Sequence, residues 1–242
     1  MANVRASRDI YRKAGFVLAR RALRPAVLDG LEEAILALLT KLCGKRFAST
    51  RAADFAIFLL DHREIERQLY DEVRALPVLE HFCLSEAITA RAAELLDGPI
   101  GLLAKIPVRI DLPNTIRELA VWHQDYHYVR GNEEIVTAWV PLQDTRFVHG
   151  CLMVMPGSHK LGVLKHDTEI RHFPSTIFER EVRYVEMERG DLLFFSSLLL
   201  HSSGLNLSDR ARLSIQARYS PLSESTDPAM GTLTPVVSRV LA

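Results

Sequence analysis

Apolar residues recur at helical spacing through roughly the first hundred positions of this 242-residue chain. A run with apolar residues three or four positions apart predicts a helix over residues 27–42, with Pro25 at its first turn and Gly44 at its end. The same spacing predicts helices over residues 52–75 and 85–96. Each of these helices has a strong apolar face, which favours packing against a core.

After Gly98 the pattern changes to short β-rich runs separated by turn residues such as Pro156 with Gly157 and Gly190 with Asp191. The candidate strands cover residues 100–110, 119–128, 135–142, 151–155, 182–186, 192–195 and 213–219. Short strands at regular intervals predict a β-barrel or sandwich, with the helices packed outside it.

No repeat or interdomain linker interrupts the chain, so we expect one catalytic domain. Residues 1–98 would form a mainly helical buttress, residues 99–220 the barrel core and residues 221–242 a C-terminal extension. Residues 161–181 are polar and weakly patterned, which suits either a lid over a site or a solvated surface excursion. Two histidines in this segment, His166 and His172, are weak candidates for ligands.

Charge excludes some classes of partner. Lys plus Arg and Asp plus Glu each number 30, so no global basic field would recruit nucleic acid or an anionic membrane. No apolar stretch has the length of a transmembrane helix or the form of a signal peptide, which predicts a cytoplasmic protein. The cysteines, Cys43, Cys83 and Cys151, lack metal-ligand spacing and suit reduced, buried thiols. The sequence does not indicate an oligomeric state.

An H-x-D triplet runs from His123 to Asp125, and His201 ends another apolar run much later in the chain. Two imidazoles and one carboxylate on one face of iron(II) leave positions open for a co-substrate and oxygen. Alternation along a strand would also place His127 on the face of His123 and Asp125. The residues alone leave two alternatives: a local patch that includes His127, or a site completed by His201 with His127 as a pocket residue.

Several ordered motifs extend this pattern: WHQDYHYV, the AW dipeptide, PGSH, ERGD, and LLLHSSG followed by RARLS. Together, over about residues 100–219, they resemble the phytanoyl-CoA dioxygenase family of iron(II)- and 2-oxoglutarate-dependent oxygenases. The resemblance implies a mainly β fold with flanking α-helices, namely a double-stranded β-helix (jelly-roll, cupin-like) barrel buttressed by the N-terminal helices.

The resemblance also implies roles for individual residues. The iron ligands fall on His123, Asp125 and His201, which leaves His127 as a pocket residue. The arginine that binds the far carboxylate of 2-oxoglutarate falls on Arg212, and guanidinium suits a carboxylate because it offers two parallel donors. Further co-substrate contacts fall on Gln124, Trp139 and Ser203.

Other positions are assigned less directly. A co-substrate contact that the family often has before H-x-D aligns uniquely with neither Lys105 nor Arg109. His159, in PGSH, is expected to shape a turn rather than bind metal. The residues expected around the substrate pocket are Tyr126, His127, Tyr128 and Arg218.

The implied activity is hydroxylation of an unactivated C–H bond in a small-molecule substrate, with oxygen and 2-oxoglutarate as co-substrates and succinate and CO2 as products. Related halogenases replace the carboxylate ligand with a small residue, so Asp125 argues for a halide-free oxidation. The alternatives are desaturation, cyclisation or epimerisation with the same cofactors, or a catalytically silent barrel that binds a metal or small molecule.

Overall fold

The computed structural model describes residues 2–116, 121–129, 132–165, 179–222 and 233–236. The helices within these ranges are α1 (Ala2–Ala14), α2 (Pro25–Cys43), α3 (Ala53–Asp61), α4 (Arg63–Val73), α5 (Pro77–Cys83), α6 (Glu86–Leu96) and α7 (Tyr126–Val129). Within the same ranges, no helix combines the length and the apolar character that a bilayer span needs.

The predicted helix over residues 27–42 is confirmed as α2. Pro25 occupies its first turn, and Gly44 ends it in the left-handed conformation at φ 73° while its N–H donates to the Thr40 carbonyl over 2.8 Å. The predicted helix over residues 52–75 is instead divided into α3 and α4. The division lies at His62, whose φ of −126° and ψ of 68° leave the helical region.

The strands are β1 (Phe16–Ala19), β2 (Ile100–Leu103), β3 (Val108–Asp111), β4 (Val136–Pro141), β5 (Leu152–Val154), β6 (Arg183–Val185), β7 (Leu192–Ser196), β8 (His201–Ser203), β9 (Arg212–Pro221) and β10 (Leu233–Pro235). They form a seven-stranded antiparallel sheet in the order β1-β7-β4-β9-β2-β10, with β3 also on β9, and a three-stranded antiparallel sheet in the order β6-β5-β8. The expected mainly β barrel with flanking helices is confirmed.

Two predicted strands are wrong in detail. The strand over residues 100–110 is broken between β2 and β3, and each part pairs separately with β9. The strand over residues 119–128 is absent within the described residues 121–129, where an isolated bridge at His123 is followed by helix α7. The short elements α1 and β1 were not predicted, although β1 completes the edge of the large sheet through β7.

Strand β9 separates the apolar core from the barrel interior. Leu213, Ile215 and Ala217 lie on one face and join the core that packs against the helices. Arg212 and Arg218 lie on the other face and bond to residues outside that core. The strand therefore presents two buried guanidinium groups to the inside of the barrel, as alternation along a strand predicts.

A buried carboxylate joins β1 to the turn before β7. The side chain of Asp191 accepts hydrogen bonds from the backbone N–H groups of Arg21 (2.8 Å) and Glu188 (2.9 Å) and from the Arg20 guanidinium (2.6 Å). Burial opposes ionisation of Asp191, but these donors outweigh it and lower the pKa of the carboxyl group. Asp191 thus fixes the sheet edge by charge-assisted hydrogen bonds.

Candidate metal centre

His123, Asp125 and His201 meet at one buried point inside the barrel. Their potential ligand atoms all lie within 4.8 Å of one another, and Asp125 Oδ1 is 3.6 Å from His123 Nε2 and 3.8 Å from His201 Nε2. The backbones of the two histidines form an isolated bridge through reciprocal N–H to carbonyl hydrogen bonds of 3.0 and 3.1 Å. This bridge brings together two residues that are far apart in the sequence.

Each imidazole is oriented by a backbone carbonyl. The Nδ1 atom of His123 lies 2.7 Å from the Val121 carbonyl oxygen, and that of His201 lies 2.9 Å from the Leu199 carbonyl oxygen. Because a carbonyl can only accept, Nδ1 carries a proton in both rings, and in a neutral ring the lone pair is then on Nε2, the atom that faces Asp125. Burial and the neighbouring His123 lower the pKa of His201 to about 3, so its imidazole is neutral at pH 7.

Asp125 is held on the side away from the histidines. Arg218 donates from Nε to Oδ2 over 3.1 Å and from Nη2 to Oδ1 over 3.2 Å, and Thr137 Oγ1 donates to Oδ2 over 2.7 Å. Burial opposes ionisation, but the Arg218 guanidinium beside it holds the pKa of Asp125 well below its ordinary range. The carboxylate is therefore charged, with Oδ1 facing the two Nε2 atoms.

This donor set fits iron(II). Two neutral imidazole nitrogens and one carboxylate oxygen form the facial arrangement that binds non-haem iron and leaves positions open. The hydrogen bonds at both Nδ1 atoms and at Oδ2 are the outer contacts that orient such ligands.

A second charged group lies nearby on β9. Arg212 is almost fully buried, and its Nη2 lies 2.5 Å from Asp111 Oδ2 and 3.4 Å from Ser203 Oγ, while its Nη1 donates to the Gly150 carbonyl. Arg109 also bonds Asp111, with Nη2 to Oδ1 at 2.8 Å. Burial opposes ionisation of Asp111, but Arg212 and Arg109 lower its pKa. Two guanidinium groups therefore share the Asp111 carboxylate.

Residues 11–214 match the family of phytanoyl-CoA dioxygenases (PhyH). The chain belongs to the phytanoyl-CoA dioxygenase family. Family membership confirms the expected enzyme class, which is an iron(II)- and 2-oxoglutarate-dependent dioxygenase, an oxidoreductase. The His-Asp-His cluster agrees with this class.

Individual relatives differ in how much they share with this chain. A probable phytanoyl-CoA dioxygenase of Caenorhabditis elegans is 26% identical over 88% of this chain and 73% of its own length. The 1-deoxypentalenic acid 11-beta-hydroxylase of Streptomyces arenae is 36% identical over 42% of this chain and 41% of its own length. The chain spans about a third of the length of the mammalian family members that it matches, for example 32% of the human enzyme.

A solved structure confirms the fold. The epimerase SnoN, in complex with Fe3+, alpha ketoglutarate and nogalamycin RO, superposes with a TM-score of 0.69 at 21% sequence identity. The match covers 96% of this chain and 88% of SnoN. The jelly-roll barrel of the phytanoyl-CoA dioxygenase family is therefore shared along nearly the whole chain.

Of the other residues expected to contact 2-oxoglutarate, Trp139 and Ser203 lie next to Arg212, whereas Gln124 is bonded to backbone. Trp139 is buried with its ring 5.9 Å from the Arg212 guanidinium carbon, and Ser203 bonds Arg212 directly. The Gln124 carboxamide is engaged by backbone: Nε2 donates to the carbonyls of Leu198 (2.7 Å) and Gly162 (2.9 Å). Its Oε1 accepts from the N–H of Leu164 over 2.9 Å. Gln124 therefore joins its own segment to residues 162–164 and to Leu198 beside the metal centre.

Of the residues expected around the substrate, Tyr128 and Arg218 line one cavity, whereas His127 differs from its expected placement. The expectation that His127 shares a strand face with His123 and Asp125 is wrong, because the chain turns into α7 after Asp125, whose carbonyl accepts from Val129. Among the described residues, the cluster that could hold a metal does not include His127. Tyr128 is about half exposed, and its ring centroid lies 5.3 Å from that of His123 in an edge-on arrangement.

The remaining candidate histidines are His159, His166 and His172. His159 is not part of the metal cluster; its Nε2 lies 3.1 Å from the Arg12 carbonyl oxygen of α1. His166 and His172 lie outside the described residues, as does most of the segment 161–181.

Sequence reasoning missed three polar residues at the site. Thr137 contacts Asp125, Asp111 contacts Arg212, and Ser214 has a buried hydroxyl with no hydrogen-bond partner among the described residues. Ser214 could have been found, because it is two residues after Arg212 on the same strand and shares its face. Nothing in the local sequence distinguishes Asp111 or Thr137.

Proposed function

We propose that this phytanoyl-CoA dioxygenase family member hydroxylates an unactivated C–H bond of a small-molecule metabolite or natural product. In this proposal His123, Asp125 and His201 hold iron(II), and Arg212 holds the far carboxylate of 2-oxoglutarate. Oxygen and 2-oxoglutarate are consumed, and succinate and CO2 are released with the hydroxylated product.

The observation that carries this proposal is the convergence of two Nε2 atoms on Asp125 Oδ1, in rings whose Nδ1 atoms are bonded to backbone carbonyls. Bound iron supplies oxygen activation at the expense of 2-oxoglutarate, which is chemistry that no side chain provides. The chain's own groups orient the proposed metal ligands and balance the charge of the carboxylate. The carbonyls of Val121 and Leu199 fix the imidazoles, and Arg218 with Thr137 fixes the carboxylate, so little reorganisation accompanies metal binding.

The surroundings of Arg212 support its proposed role. Its Nε atom and Ser214 Oγ are both buried, and neither has a hydrogen-bond partner among the residues the structure describes. Unsatisfied buried donors are costly unless a ligand or water completes them.

Two facts bear on the reaction outcome. Asp125 keeps a carboxylate where a halide would have to bind, which argues against halogenation, and a relative from Streptomyces arenae is a hydroxylase of 1-deoxypentalenic acid, which favours hydroxylation. Epimerisation is the second candidate, because SnoN is an epimerase with the same fold. Both outcomes require the same iron and 2-oxoglutarate site.

Product analysis tests the proposal. The full chain, supplied with iron(II), ascorbate, 2-oxoglutarate and a panel of small metabolites, should form succinate in step with one product that gains an oxygen atom from labelled O2. His201→Ala should abolish both signals, and His81→Ala, at an exposed histidine on α5, is the matched histidine control that should keep succinate formation. A product of unchanged mass would establish epimerisation instead, and no succinate with any compound would count against the whole proposal.

A further inference from the structure

A cavity of about 450 Å³ lies beside the metal centre. Its inner wall includes Arg218, which bonds Asp125, and Tyr128, whose ring contacts that of His123. The cavity therefore lies one side chain away from two of the three proposed iron ligands, Asp125 and His123. Its size falls within the range of about 300–1,000 Å³ that is typical for sites binding small molecules.

Much of the cavity wall is apolar. Leu103, Ile106 and Val129 line it, and all three are buried. Leu103 and Val129 also belong to a small apolar cluster of their own, separate from the main core. A wall of this kind favours an apolar ligand body, because contact removes hydrocarbon surface from water.

Two of the cations on the cavity wall are paired with a carboxylate, and among the described residues the third is not. Arg74 is paired with Asp71, with Nη2 to Oδ1 at 2.6 Å, and Arg218 is paired with Asp125. Lys105, on the segment between β2 and β3, is exposed and forms no ion pair with any residue that the structure describes. The cavity thus carries one uncompensated ammonium group at its solvent side, which complements a single anionic group.

We propose that this cavity is the substrate site and that it selects a small, free carboxylic acid with an apolar body, whose carboxylate lies at Lys105. The inference rests on the proposed function, since that function makes the adjoining metal centre the place of reaction. Binding at Lys105 leaves the apolar end of the ligand to face Arg218 and Tyr128, beside the proposed iron ligands. Lys105 is then a specificity-determining residue for the reaction.

A matched probe series tests this selection without any turnover. Octanoate, octan-1-ol and octylamine are titrated calorimetrically into the metal-free full chain with saturating 2-oxoglutarate. Octanoate should bind about fivefold more tightly than either probe, which is the upper range for a solvent-exposed ion pair. Lys105→Met should remove this preference and Lys105→Arg should keep it. Lys41→Met, at an exposed lysine on α2, is the matched control and should leave the preference unchanged.

Several results would overturn the inference. They are equal binding of octanoate and octan-1-ol, no binding of octanoate, or a preference for octanoate that persists in Lys105→Met. Tighter binding of octanoyl-CoA than of octanoate would assign the anion to a carrier phosphate and exclude the free acid. Because no metal is present, loss of the proposed oxygenase function would leave these binding results unaffected, so the two failures are distinguishable.

Discussion

Replacing Arg218 by methionine removes the cation that holds the proposed iron ligand Asp125. Methionine keeps a long, flexible side chain, so the change removes charge and two hydrogen bonds more than it removes volume. Asp125 is only 1% exposed and would be left as a buried carboxylate without a cationic partner. The metal-free protein should therefore lose stability.

The expected loss follows from the contacts. Removing one partner of a buried ion pair costs about 3–5 kcal/mol. Thr137 still donates to Oδ2 over 2.7 Å, so the lower end, about 3 kcal/mol, applies. For a chain of this size about 1 kcal/mol shifts Tm by about 2–4 °C, so Tm should fall by about 6–12 °C.

Adding a divalent metal should narrow the difference in Tm between the variant and the wild type. A metal ion at the two imidazoles supplies the positive charge that Arg218 supplied, so the variant should gain more from metal than the wild type gains. Thermal unfolding with and without Ni(II) as a redox-inert substitute measures both effects. Arg210→Met is the control, because Arg210 is exposed and pairs only with the exposed Asp209 in the described structure. An unchanged metal-free Tm, or an equal gain from Ni(II) in both proteins, would refute the reasoning.

Two further predictions concern other charged groups. Arg212→Lys should raise the KM for 2-oxoglutarate roughly tenfold with a smaller effect on kcat, because an ammonium group cannot make the two parallel hydrogen bonds; an unchanged KM would move the co-substrate clamp elsewhere. Asp191→Asn should lower stability by about 2 kcal/mol at pH 7 through lost charge-assisted hydrogen bonds. Because the folded pKa of Asp191 is depressed, the wild-type advantage should be present above about pH 4 and disappear as pH falls through the folded value. Denaturant unfolding of both proteins from pH 7 to pH 3 measures this, and a constant difference would contradict it.

Local signals predicted much of the fold. Helix α2 has its ends where Pro25 and Gly44 indicated them, because both residues act on backbone conformation within one turn. Strand β9 has the predicted alternation, since one of its faces packs on the helices and the other faces the barrel interior. The His-x-Asp spacing and the distant His201 were visible in sequence because metal ligation restricts residue types.

Long-range contacts explain what the sequence could not predict. Aromatic residues at 126–128 favour a strand by propensity, yet backbone bonds to Asp125 and Ser197 turn the chain into α7. Arg218 was expected near the substrate, but its contact with Asp125 was not foreseen; that contact follows from the register of β9 against β4, which places Arg218 opposite Thr137. Such pairings depend on strand order and register, which no local pattern encodes.

The central claim is that two histidines and Asp125 hold iron and leave adjacent positions for 2-oxoglutarate. Anaerobic titration of the full chain with iron(II) and 2-oxoglutarate, followed by visible absorption, tests it most directly. We predict a weak charge-transfer band that saturates at one iron per chain, disappears in His123→Ala and His201→Ala, and persists in His127→Ala. A band that survives loss of either His123 or His201, or no band in the wild type, would contradict the account.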